Sequence, residues 1–200
     1  MSGCASTTLV SSQRTAGTPS KQYRTLLVVG MSETPATRQV FEEIFSDELR
    51  KRGISSVSSY TSPELRGTIS PTRSAFAAAL KTAGADGLLT TRFVQVKNRR
   101  DTKAGFVMTD RGTDFEDFYD YYGNDWVGID HYATFDSKPI NEILSSVTTL
   151  ETALFDAGTG KVIWKGTSNE TQADNLIQST KELAGLVLDA LTNEGLLAGK

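Results

Sequence analysis

Apolar positions recur at two different spacings along this chain, and the switches between them mark out most of its elements. Tyr23–Gly30 (YRTLLVVG) is a compact apolar run that ends in glycine, which predicts a strand buried on both faces. Ser32 or Thr34 then supplies a helix cap, with Pro35 near the first helical position. Val40, Phe41, Ile44, Phe45 and Leu49 follow at helical spacing, and Lys51 and Arg52 precede a terminating Gly53. Ile54–Tyr60 (ISSVSSY) is a short β-type segment. Ser70-Pro71 predicts the start of a second helix, with Phe76, Ala79, Leu80 and Ala83 along one face. Gly84-Ala85-Asp86-Gly87 closes that helix and leads into a strand at Leu88–Val96.

The C-terminal third has a different rhythm. Ser146–Asp156 and Lys161–Asn169 flank Ala157-Gly158-Thr159-Gly160, which reads as a β-hairpin. Leu176, Ile177, Thr180, Leu183, Ala184, Val187, Leu188 and Leu191 then form one apolar stripe, ended by Gly195. The order β-α-β-α-β, insertion, β-β-α predicts a mixed α/β (α+β) domain. It would have a mixed sheet of about five strands and three helices. The first half implies parallel neighbours joined by helical crossovers, and the hairpin adds antiparallel strands. All helices are expected in one layer on one face.

Residues 101–140 stand apart from this scheme. They carry nine of the 17 aromatic residues and nine of the 24 acidic ones, in a stretch too long for a plain connection. Phe115, Phe118, Tyr119, Tyr121, Tyr122 and Trp126 are the candidate partner-binding residues, since aromatic rings give large contact area with few rotatable bonds. The alternative is an excursion whose rings merely cover the sheet. Residues 1–20 contrast in the opposite sense. Positions 5–20 (ASTTLVSSQRTAGTPS) are rich in Ser, Thr, Ala and Gly and read as a flexible tether before a single domain at 21–200.

Composition and charge narrow the chemistry. The 200 residues carry a net charge of −3, which argues against a nucleic-acid partner. No apolar run is long enough to span a bilayer as a helix. One Cys and one His rule out a disulfide framework within the chain and the common structural zinc sites. Asp114, Glu116, Asp117, Asp120 and Asp125 crowd together but lack the spacing of a calcium loop, so no metal is assigned. Gly158-Thr159-Gly160-Lys161 lacks the remainder of a phosphate-binding loop and reads as the hairpin turn. His131 has no local triad signature, and no GxSxG elbow occurs. No catalytic residue and no cofactor is assigned, and binding is expected rather than catalysis.

The first residues, Met1-Ser2-Gly3-Cys4, resemble the last part of a bacterial lipobox, with Cys4 as the acylated residue. A signal peptide upstream of Met1 is then expected, and several acyl chains would anchor the domain firmly. Ala5 after the cysteine resembles the outer-membrane sorting pattern. The domain itself resembles a group of uncharacterised bacterial lipoproteins with a small periplasmic α/β domain. The resemblance covers residues 22–197. It rests on Tyr23–Gly30, Arg38 with Phe41-Glu42-Glu43, Gly53-Ile54 and Ser59-Tyr60, then Gly84–Leu89 with Arg92. Leu154-Phe155-Asp156 through Lys161-Val162-Ile163-Trp164 completes it. The layout is also similar to the N-terminal domain of the Tol-system β-propeller protein and to lipoprotein activators of penicillin-binding proteins.

That resemblance implies a lipid-anchored binding or scaffold domain at the periplasmic side of the outer membrane, with an envelope protein as partner. Two alternatives remain open from sequence. One is a cytosolic regulatory module, if Met1 is the true start. The other is a soluble enzyme using carboxylates near the insertion.

Overall fold

The computed structural model describes residues 6–18, 20–32, 35–66, 72–98, 146–171 and 176–198. Six strands form one mixed sheet: β1 (Ser6–Arg14), β2 (Thr25–Gly30), β3 (Ser55–Ser58), β4 (Gly87–Asn98), β5 (Ser146–Asp156) and β6 (Val162–Thr171). Their order across the sheet is β1-β6-β5-β4-β2-β3. The helices are α1 (Pro35–Lys51), α2 (Arg73–Ala83) and α3 (Leu176–Asn193), with a single 3₁₀ turn at Ser59–Thr61. The expected mixed α/β architecture is thus present, with one strand more than foreseen.

Strands β2, β3 and β4 are parallel, and the pairs β4–β5, β5–β6 and β6–β1 are antiparallel. The chain leaves β2, crosses through α1 to β3 on one side, then returns through α2 to β4 on the other side of β2. Crossovers in opposite directions that keep the same hand place their helices on opposite faces. Phe41, Phe45 and Leu49 of α1 share a core with Leu183, Val187 and Leu191 of α3, over Leu26, Val28, Leu89, Leu154 and Trp164. Phe76 and Ala79 of α2 pack on the other face with Leu27, Val29, Leu88, Ala153 and Phe155. The single helical layer read from sequence is therefore corrected to two layers.

A second correction concerns the N-terminus. Residues 6–14, read as part of a tether, pair antiparallel with β6 from Ser6↔Thr171 to Arg14↔Trp164. Backbone hydrogen bonds to a preformed neighbour supply what the polar side chains cannot. The start of α2 also moves: Thr72, not Ser70-Pro71, caps it and accepts a hydrogen bond from the Ala75 N–H at 3.2 Å. Gly84 ends α2 with φ +58°, where a side chain would be strained.

Candidate functional site

The strand order reverses direction at β2 and β4, and in open α/β sheets a crevice forms outside the carboxyl ends of strands at that point. A cleft of about 20 Å³ lies there, lined by Gly30, Met31, Ser32, Thr37, Phe41, Thr91, Arg92 and Leu150. That is room for a water molecule rather than an organic substrate. One wall is neutral and hydroxylic: Thr91 Oγ1 and Thr152 Oγ1 lie 2.9 Å apart across β4 and β5. Arg92 Nε donates to Glu151 Oε1 at 2.9 Å, and both side chains are nearly buried.

Beside the cleft a larger network joins β2, α1 and the 3₁₀ turn. Arg38 and Glu42 fall one helical turn apart, on the same stripe of α1 as Phe41, Phe45 and Leu49. Glu42 is fully buried. Its Oε1 accepts from Arg38 Nε at 2.9 Å, from the Gly30 N–H at 3.0 Å and from Ser59 Oγ. Its Oε2 accepts from the Tyr60 N–H at 2.8 Å. Burial raises the Glu42 carboxyl above its ordinary value, although the Arg38 guanidinium and the bonds from Ser59, Tyr60 and Gly30 oppose that rise. Arg38 also donates to Ser59 Oγ, and Ser46 Oγ sits 3.0 Å from Ser58 Oγ. Four donors converge on one carboxylate, so the group holds three elements together instead of offering a reactive oxygen.

At the opposite end of the sheet Asp156 anchors the hairpin turn. Its Oδ1 accepts from the N–H groups of Gly158 and Thr159 and from Thr159 Oγ1, at 3.1, 2.9 and 3.1 Å. Its Oδ2 accepts from Lys21 Nζ at 2.8 Å and from Tyr23 Oη at 3.2 Å. Burial alone would raise the Asp156 carboxyl, but the bonds from Lys21 and Thr159 and the Lys21 charge bring it down to about 2. Burial and the Asp156 charge push the Tyr23 phenol well above its ordinary value. This confirms the turn read at Gly158–Lys161 and gives it a structural purpose.

Cys4, Phe115, Phe118, Tyr119, Tyr121, Tyr122 and Trp126 all lie outside the described residues. So do the acidic cluster at 114–125 and His131. Among the described residues, no group of three or more His, Cys, Asp or Glu is placed to hold a metal. No described helix is long and apolar enough to cross a membrane. Sequence reasoning missed the Arg38–Glu42 network. The signal that could have found it was helical spacing, which puts both charges, three residues before and one residue after Phe41, on the stripe that faces the core.

No family model matches the chain, and no curated protein matches it. Among solved structures it is similar to a single-substitution variant of the PelC dodecamer from Paraburkholderia phytofirmans. That likeness has 15% identity and a TM-score of 0.46, covering 98% of this chain and 100% of that one. A second PelC dodecamer structure from the same organism gives 14% and 0.44 over the same shares. A PDZ domain protein from Parabacteroides distasonis gives 13% and 0.47, covering 94% of this chain but 36% of that longer one. Likenesses this distant transfer no site and no activity.

Proposed function

We propose that this protein is a lipid-anchored domain of the bacterial envelope. Cys4 holds it at the periplasmic side of the outer membrane, and it works by binding an envelope partner through the aromatic residues of 101–140. The observation that carries the reading is the lipobox-like Ser2-Gly3-Cys4 set directly ahead of a folded domain. Strand β1 begins at Ser6, two residues past the cysteine. Two residues reach at most about 7 Å, so an acylated Cys4 keeps the sheet close to the bilayer surface. Binding is favoured over catalysis because the buried Glu42, Glu151 and Asp156 are committed to Arg38, Arg92 and Lys21.

Metabolic labelling with a clickable fatty acid, in cells making the protein from its own upstream sequence, tests the anchor. Label on the wild type and none on Cys4→Ala is the expected result. An unlabelled wild type, or label that survives Cys4→Ala, rejects it.

A further inference from the structure

The side of the sheet under α3 holds a further buried carboxyl, and its surroundings are of a different kind. Glu170 lies on β6, directly opposite Thr7 of β1 and Thr148 of β5. Side chains paired in this way share a face, here the face covered by α3, whose Ser179 and Glu182 come over Glu170. Glu170 is 3% exposed and Ser179 2%. Yet Glu170 Oε1 and Thr7 Oγ1 are buried with no hydrogen-bond partner.

The charges nearby do not favour an ionised carboxylate. The charged side chain that acts on Glu170 is Glu182, of like sign, and among the described residues no cation pairs with it. β1 and β5 contribute only the hydroxyls of Thr7 and Thr148 at this position. Glu182 is itself engaged: its Oε2 accepts from the Thr7 N–H at 3.3 Å and its Oε1 from Gln178 Nε2 at 2.8 Å. Three elements therefore meet around a carboxyl that fits this place uncharged. A buried charge without a partner is costly.

We infer that Glu170 is the proton-binding centre of a clasp, which holds β1 and α3 onto β6 when Glu170 is neutral and loosens the edge strand when it ionises. Burial pushes this carboxyl up, the neighbouring Ser179 hydroxyl draws it down, and the Glu182 charge pushes it up again. An acid raised in the folded state favours folding at low pH. Its penalty appears as pH climbs above the ordinary Glu range and is complete above the folded-state value. Attachment of β1 should accordingly be tighter in acid than in mildly alkaline solution. The inference does not depend on the anchor.

Hydrogen exchange of residues 7–14 in the whole protein, corrected for intrinsic rates, reads this directly. Protection should fall at least tenfold between pH 5.5 and pH 8 in the wild type, and the fall should vanish in Glu170→Gln. Glu42 is unchanged in that variant, so its own titration is held constant. Equal protection at both pH values in the wild type, or an undiminished fall in Glu170→Gln, overturns the clasp. Should Glu170→Gln fail to fold, the Glu170 carboxyl signal in the wild type decides by nuclear magnetic resonance. A midpoint above that of Glu48 supports the clasp, and one at or below it overturns it.

Discussion

Glu42 and Glu170 are both buried on the face of the sheet covered by α1 and α3, but they are buried in opposite ways. Glu42 sits where the parallel strand β2 runs into α1, and four donors from three elements close on its two oxygens. Glu170 sits on β6, next to the antiparallel edge strand β1, with an orphaned oxygen and a like charge as its neighbour. Desolvation acts on both. What separates them is whether the backbone brings N–H groups to the carboxylate. Strand β2 runs on past its last pair with β3, Val28↔Ser58, which leaves the Gly30 N–H to Glu42, and the 3₁₀ turn at Ser59–Thr61 supplies the Tyr60 N–H. Strand β6 has no such turn at Glu170. The carboxyl of the parallel half is therefore tied by converging donors, and that of the antiparallel half by packing.

The contrast is broken most severely at Glu42. Glu42→Ala leaves the Arg38 guanidinium, which is 6% exposed, without its carboxylate and strands two backbone N–H groups. Removing one partner of a buried pair costs about 3–5 kcal/mol, which chemical denaturation should register. A loss below about 1 kcal/mol would place Glu42 with ordinary surface charges.

Asp156 is an intermediate case, a carboxylate held by a lysine that is 38% exposed. Its folded value, about 2, lies below the ordinary 3.8, so its contribution is present above pH 3.8 and disappears as pH falls toward 2. Allowing for solvent screening at Lys21, that contribution is about 1–2 kcal/mol. Acid titration of the melting temperature should show it, and Asp156→Asn should flatten the curve below pH 4. The smallest effect belongs to the exposed Asp47–Arg50 pair on α1, whose side chains are 54% and 55% exposed. Arg50→Ala should change stability by no more than about 0.5 kcal/mol. A larger loss would mean that charge alone, without burial, stabilises this helix.

The sequence made the parallel half and the hairpin legible because their apolar runs are continuous and their turns carry glycine. Phe41, Phe45 and Leu49 stand in the core where helical spacing puts them, and so do Leu183, Val187 and Leu191. β1 was hidden because STTLVSSQR has no apolar alternation, and it becomes a strand through its pairing with β6. The two helical layers were hidden because they follow from the order of strands, which local pattern does not record. Glu42 and Glu170 were assigned no role from sequence, and the strand read at Lys161–Asn169 stopped one residue short of Glu170. Glu42 shares the stripe of Phe41 and Phe45, and Glu170 follows Trp164, Gly166 and Ser168 at every second position of β6. At buried ionisable groups, position along the element decides more than residue type.

The role proposed for the domain turns on the state of one sulfur, that of Cys4. Intact-mass measurement on the protein purified from its native membranes tests this most directly. A mature polypeptide beginning at Cys4 and heavier by the mass of a diacylglyceryl group, with or without a further acyl chain, is the predicted result. A free thiol at Cys4 in protein recovered from the soluble cytoplasm would contradict it.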